Sequence, residues 1–241
     1  MGQAANDPVD TMQYWLVMPA AGIGRRFGGE RPKQYAMLRG RTVIEWALRP
    51  FLRDPSCAGA VVALAAHDPY WKDIAPAGVI AAPGGAERSH SVRNGLTVLS
   101  GRAQADDWVL VHDAARPCLP ARDLDSLLRR LEAHPVGGLL AAPAADTLKR
   151  ADASLQVVET ADRSGLWRAL TPQMFRYARL CEALDRAHEA GRAPTDEAQA
   201  IEWLGRHPAL VEGSAANLKI TSGADLALAA ALLQSAVESS E

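Results

Sequence analysis

The stretch Trp15-Leu16-Val17-Met18-Pro19-Ala20-Ala21-Gly22-Ile23-Gly24-Arg25-Arg26 decides how the rest of the chain is read. Its first four residues make a short apolar run that Pro19 stops, the pattern of a buried strand. Small residues and two glycines follow, and then fixed positive charge at Arg25, Arg26, Arg31 and Lys33. Gly22 and Gly24 let the backbone turn with its N–H groups outward, and such concave arrays bind anions. Guanidinium and ammonium groups add the full charges that meet a polyphosphate. A bare G-x-G is weak evidence by itself. A strand, small residues and cations in immediate succession predict a phosphate-handling loop.

Outward from this loop, short apolar runs alternate with helical patterns. Val43, Trp46, Ala47, Pro50 and Phe51 recur near helical spacing, with Thr42 and Glu45 placed as a capping box. Runs of strand length follow at 60–65, 79–82, 108–111 and 138–142. Between them lie a helical face of Val92, Leu96 and Leu99 and another of Leu124, Leu127, Leu128 and Leu131, for which Asp123 is a candidate cap. This rhythm predicts an α/β fold: a mostly parallel, doubly wound twisted sheet flanked by helices. In such sheets ligands gather beyond the carboxyl ends of strands. The polar clusters at 20–33, 84–91 and 113–116 each follow a strand, so they are expected to converge on one crevice.

The rhythm breaks from Pro143 to about Ala161. Residues 147–150 and 156–160 read as two extended arms joined by 151–155, a protruding hairpin. A lone ribbon needs something to pack against, and a second subunit is the obvious candidate. Helices are then expected around 177–189 and 195–204, short strands at 210–212 and 218–220, and a closing helix over 224–237. The division expected is a disordered tail, 1–13, and one domain, 14–241, with 143–161 as its arm.

A net charge of −2 argues against a general nucleic-acid or membrane-surface binder, since both need a broad basic excess. The 3 cysteines, Cys57, Cys118 and Cys181, are far apart and lack C-x-x-C spacing, which speaks for free thiols in a cytoplasm. No signal peptide is visible near the N-terminus, and the apolar stretch 226–237 is too short to span a bilayer. The absence of G-x-x-x-x-G-K-[ST] removes the ordinary P-loop enzymes. Ser89, His90 and Ser91 invite a hydrolase reading, but no nucleophile elbow follows a strand. Asp113, at a strand end, suits a magnesium ligand beside a phosphate site, because hard ions want carboxylate and phosphate oxygens together; a turn-capping Asp fits the same pattern. His112 is assigned no role. Asp162, Arg163 and Lys219 read from pattern alone as solvated charges.

Taken in order, PAAGIGRRFGGERPKQY (19–35), GGAERSHSV (84–92), VHDAARP (111–117), DTLKR (146–150), ADRSGLWRALTPQ (161–173), TDEAQAIE (195–202) and VEGSAANLKIT (211–221) resemble the 2-C-methyl-D-erythritol 4-phosphate cytidylyltransferases. The resemblance runs from about residue 15 to residue 235. It implies a Rossmann-like nucleotidyltransferase fold, a homodimer with interlocked β-arms, CTP as co-substrate, and magnesium or another divalent cation. It implies that Ala20, Ala21, Gly22 and Gly24 hold CTP and that Arg26 and Lys33 stabilise the transition state. Gly85 and Ser91 match contacts to cytosine, Asp113 the acid near metal and nucleotide, and Ala114 a further nucleotide contact. Arg116 matches a contact at the active-site anions. Thr147 and Arg163 match residues that reach the neighbouring subunit's methylerythritol phosphate, and Lys219 one that positions that substrate.

One departure from the family pattern is Ala86, where members often carry Asp after the paired glycines. That removes a side-chain contact to the base and leaves main-chain contacts intact. No room is left after the last helix for a fused cyclodiphosphate synthase domain, so the single-function form is expected. Rival readings are a ribitol-5-phosphate cytidylyltransferase on the same fold, a sugar-1-phosphate nucleotidyltransferase, and a nucleotide-binding protein without activity.

Overall fold

Each apolar run between Trp15 and Ala142 becomes a strand. The computed structural model describes residues 12–22, 27 and 31–238. Gly24, Arg25 and Arg26 lie outside the described residues, as do residues 1–11 of the expected tail. Met12, at the end of that tail, packs against the core, which corrects the expectation of disorder up to residue 13.

In chain order the elements are β1 (Tyr14–Pro19), a 3-10 turn (Lys33–Tyr35), β2 (Met37–Leu38), β3 (Arg41–Thr42) and α1 (Val43–Leu52). Next come β4 (Cys57–Leu64), α2 (Trp71–Ile74), β5 (Val79–Pro83), α3 (Arg88–Val98), β6 (Trp108–Val111) and α4 (Ala121–Leu131). The second half holds β7 (Gly137–Pro143), β8 (Leu148–Ala151), β9 (Val157–Ala161) and β10 (Trp167–Arg176). It closes with α5 (Tyr177–Glu189), α6 (Glu197–Glu202), β11 (Ala209–Glu212) and α7 (Gly223–Glu238).

The main sheet has the order β11-β7-β10-β6-β1-β4-β5. β1 pairs in parallel with β4 and β6, β4 with β5, and β7 with β11. Strands buried on both faces read as continuous apolar runs, and β1 shows why. Leu16 and Met18 join the core under α1 and α4, while Val17 joins the one under α3, α5 and α6. A smaller cluster, with Trp46, Ile220 and Ala229, seats α7. The capping box of α1 forms as expected: Glu45 accepts from the Thr42 amide at 2.7 Å, and Thr42 Oγ1 accepts from the Glu45 amide at 3.4 Å.

One strand is additional, and three expectations change. β10, which no periodicity announces, enters the sheet antiparallel to both β6 and β7 and supplies the antiparallel part of the mostly parallel sheet that was expected. Pro172 lies inside it and argues against a central strand, but the pairing with β7 is interrupted between Ala169 and Gln173, where the missing N–H is tolerated. Asp123 does not cap α4; Pro120 holds that position, and the buried Asp123 carboxylate accepts from the Ser214 amide at 2.6 Å. Residues 218–220 form no strand, because Leu218 N–H bonds to Ala216 and Ile220 N–H to Ala115, which makes no ladder. The helix expected over 195–204 is shorter, beginning at Glu197 behind the capping side chain of Asp196.

β8 and β9 form an antiparallel ribbon of their own, as expected for the arm. Leu155, Val157 and Val158 on it are exposed, and none of the described residues covers them.

Candidate active site

The loops after β1, β5 and β6 meet in one crevice. Ala20, Ala21, Gly22, Gly85, Ser91, Asp113 and Ala114 line it, joined by Lys33 and Lys219. The convergence expected from strand-end loops is therefore present, and Asp113 shares the crevice with both lysines.

Small residues make the meeting possible. The Gly84 amide donates to Leu64 at the end of β4, at 2.6 Å. A methyl group on Gly84 would strike both Ala21 Cβ and the Leu64 carbonyl, so the first and second loops touch at their smallest residues. A methyl on Gly85 would strike His90. Gly22 differs: it has no positive φ and no neighbour that a Cβ would meet, so its flank is open space at the crevice.

Gln34 fixes the first loop. Its buried amide donates to the Ala20 carbonyl at 2.8 Å and to the Gly22 carbonyl at 3.1 Å. Because the trans peptide holds C=O and N–H in opposite directions, the Ala21 N–H points away from Gln34. Lys33, one residue earlier, donates from Nζ to the Ile220 carbonyl at 2.9 Å, which places it against the segment that carries Lys219. Arg31 lies outside the crevice lining with its guanidinium 5.5 Å from the Tyr70 ring centroid, in keeping with a structural role.

In the second loop Ser91 is buried, and its hydroxyl accepts from the Gly85 amide at 3.0 Å and donates to the Glu87 carbonyl at 3.2 Å. It thus shapes the glycine turn from within. Ser89 is buried against His188, with Oγ 3.1 Å from Nε2, and His188 stacks on His90. Neither Ser89 nor His188 lines the crevice, so this Ser–His pair does not face it.

A knot of charge forms one wall of the crevice, where Arg88, Asp113 and Lys219 all line it. Asp113 Oδ1 is 2.9 Å from Arg88 Nε and Oδ2 is 2.9 Å from Lys219 Nζ, with Arg116 Nε 3.6 Å away. Burial by itself would push the Asp113 carboxyl up, but Arg88, Lys219 and Arg116 overcome it and hold the group well below the usual carboxylate range. Arg88 bonds twice more, to both oxygens of Glu197 at 2.6 and 3.1 Å. Burial pushes the Glu197 carboxyl up, against the pull of Arg88. Arg116 is buried below the rim and donates to the Asn217 carbonyl at 2.7 Å.

His112 completes the support. Its Nε2 lies 3.0 Å from the Arg116 carbonyl and must donate to it, so Nδ1, 3.0 Å from Thr171 Oγ1, accepts from that hydroxyl. Thr171 Oγ1 in turn accepts from the Asp113 amide at 3.1 Å. This closed set needs a neutral imidazole, and burial lowers its pKa to about 4. His112 is a structural brace for the backbone of Asp113 and Arg116.

The expectation that Asp113 holds a metal meets a carboxylate whose two oxygens are already taken by cations. Among the described residues no group of three or more His, Cys, Asp or Glu side chains is placed to hold a metal ion. The donor set does not fit a metal site built by the chain alone.

Thr147 and Arg163 are not brought to this crevice. Both are exposed at the base of the arm, where the Arg163 guanidinium donates to the Ala145 carbonyl. Arg88, Gln34 and Glu197 were within the quoted motifs without an assigned role. Their signal is only visible as geometry.

The family model for 2-C-methyl-D-erythritol 4-phosphate cytidylyltransferase matches residues 14–235. The chain is 58% identical over 221 residues to the Pseudomonas aeruginosa protein of that name, covering 90% of this chain and 94% of the other. It is 56% identical over 228 residues to its counterpart in Halorhodospira halophila, covering 92% and 94%. A crystal structure described as 4-diphosphocytidyl-2C-methyl-D-erythritol synthase superposes with a TM-score of 0.81 at 38% identity, covering 92% of this chain and 99% of that one. The Thermus thermophilus 2-C-methyl-D-erythritol 4-phosphate cytidylyltransferase superposes at 0.77 with 32% identity, covering 92% and 100%. With nearly its whole length matched in both sequence and fold, the chain belongs to the 2-C-methyl-D-erythritol 4-phosphate cytidylyltransferase family.

Proposed function

We propose that the crevice is where this chain transfers the cytidylyl group of CTP to 2-C-methyl-D-erythritol 4-phosphate, a step in isoprenoid precursor synthesis. The products are 4-diphosphocytidyl-2-C-methyl-D-erythritol and pyrophosphate. The observation that carries the assignment to this crevice is the meeting of Lys33 and Lys219 with the three strand-end loops around Asp113.

A phosphate oxygen of the alcohol forms a bond to the α-phosphorus of CTP as the bond from that phosphorus to the bridging oxygen of pyrophosphate breaks. The attacking oxygen is already an anion, so no strong base is required. A neutral, fully bonded His112 and a buried Ser89 agree with that. The task of the protein is to align two mutually repelling anions and stabilise the charge that grows on the phosphates. Lys33, with Arg26 from the residues not described, takes that role. Ala20, Ala21, Gly22 and Gly24 approach the triphosphate, Gly85, Ser91 and Ala114 the nucleoside, and Arg116 and Lys219 the incoming phosphate. A divalent cation would supply further positive charge to the reacting phosphates, and the Asp113 carboxylate is already committed to Arg88 and Lys219.

The arm is assigned to a homodimer. Exposed Leu155, Val157 and Val158 give it an apolar surface, and Thr147 and Arg163 at its base serve the partner's crevice. The division into one domain with a dimerising arm at 143–161 follows. A cytoplasmic location accords with the unpaired thiols of Cys57, Cys118 and Cys181. Among the described residues no helix is long and apolar enough to cross a membrane.

The test is pyrophosphate release with CTP and a divalent cation, comparing methylerythritol phosphate with ribitol phosphate and CTP with UTP. Rapid release only with CTP and methylerythritol phosphate is expected. Release with ribitol phosphate alone would transfer the chain to the rival polyol, and silence with every alcohol phosphate would leave a nucleotide binder.

A further inference from the structure

Glu197 does not itself line the crevice, yet it is bonded to Arg88, which does, and its side chain is 1% exposed. A buried carboxylate is costly unless it is paired, and this one is paired in the strongest available way, by both oxygens to one guanidinium. The same guanidinium spends its remaining Nε on Asp113 Oδ1, and Asp113 Oδ2 holds Lys219. The four groups form a line, Glu197–Arg88–Asp113–Lys219, running from α6 through the first residue of α3 to the crevice.

Each link restricts the next. A guanidinium is planar, so fixing two of its nitrogens on Glu197 fixes the direction of the third. That direction sets the rotation of the Asp113 carboxylate, whose amide is already pinned by Thr171. The carboxylate then presents its second oxygen to Lys219. We propose that Glu197 is a positioning residue for cytidylyl transfer, acting through Arg88 and Asp113 to hold the Lys219 ammonium where the incoming phosphate meets it. The inference rests on the assignment of Lys219 to that phosphate. Glu197 touches neither substrate nor reacting atoms.

The experiment compares wild type, Glu197→Gln, Lys219→Ala and the double variant by steady-state kinetics on CTP and methylerythritol phosphate, with folding checked by thermal melting. Glu197→Gln keeps the size of the side chain and removes the charge that aligns Arg88. It is expected to lower kcat/KM for methylerythritol phosphate by at least about tenfold, since a misplacement of around an ångström can cost about a hundredfold, with KM for CTP changed much less. In the Lys219→Ala background the same substitution should cost less than twofold, because the group it positions is gone. A full tenfold loss in that background, or an unchanged Glu197→Gln enzyme, would overturn the inference. If Glu197→Gln does not fold, Arg88→Lys replaces it in the same cycle, since a single ammonium cannot hold both carboxylates in register. A wild-type enzyme silent on both substrates would instead refute the assigned reaction, which separates the two failures.

Discussion

Two ion pairs of the same kind and length show how differently this chain uses charge. Arg88, in the crevice wall, meets Glu197 at 2.6 Å, and Arg150 meets Glu159 across the arm, also at 2.6 Å. The first has side chains 25% and 1% exposed, the second 68% and 53%. Distance is therefore uninformative, and solvent decides. The arm pair exchanges water for a partner at almost no net gain. At the crevice Glu197 is withdrawn from solvent, so its charge must be answered by another, and the positions of the linked groups become interdependent. The crevice is braced before any ligand arrives, whereas the arm pairs its charges in solvent and leaves Leu155, Val157 and Val158 exposed.

The largest effect should come from breaking the buried pair. Arg88→Ala strands Glu197 without its partner and is expected to cost about 3–5 kcal/mol of stability in urea unfolding. The matching Arg150→Ala change belongs at the other end of the scale, under about 1 kcal/mol. Equal losses at the two sites would remove the distinction between them.

Lys33→Ala tests what the braced crevice does. Loss of a transition-state donor typically costs ~3–4 kcal/mol of barrier, so turnover should drop by about two to three orders of magnitude while the fold is retained. Near-normal turnover would take Lys33 out of the catalytic role.

His112 sharpens the comparison through pH, because its brace works only when neutral. Its folded pKa, about 4, lies below the ordinary 6.5. Its contribution is therefore complete above pH 6.5 and is lost as pH falls toward 4. The linked amount is about 3 kcal/mol. Urea unfolding between pH 7 and pH 4 should show this decline, and His112→Asn should flatten it; an equal slope in the variant would exclude His112 as its source.

Arg163→Ala probes the arm. If it serves a partner's substrate, apparent KM for methylerythritol phosphate should rise about tenfold or more, the worth of a charge-assisted hydrogen bond. Mixing this variant with Lys33→Ala should restore some activity through hybrid dimers. No recovery once subunit exchange is demonstrated would count against a shared site. Small as these changes are in stability, they are the ones that connect the arm to function.

The legible parts of the fold and site were those written in local pattern. The runs at 60–65 and 108–111, the capping box at Thr42 and the hairpin break after Pro143 each depend on residues a few positions apart. The loops after β1, β5 and β6 could be predicted to converge because parallel strands put their carboxyl ends on one edge. β10 escaped because Pro172 interrupts it, and a strand that survives through neighbours on both sides need not show a period. Asp123 looked like a cap because Asp before an apolar helical face usually is one, and the Ser214 amide that claims it lies 91 residues away.

Local pattern set the alternation of strands and helices, the small-residue loops and the charges available to phosphate. Periodicity, caps and glycine freedom act over a few residues, so they can be read before folding. Which of those charges lose water, and which partner each must then take, depends on long-range packing. Arg88 and Glu197 stand 109 positions apart, and no local rule pairs them. Burial does, because a charge removed from solvent is stable only where the fold brings its counter-charge within reach.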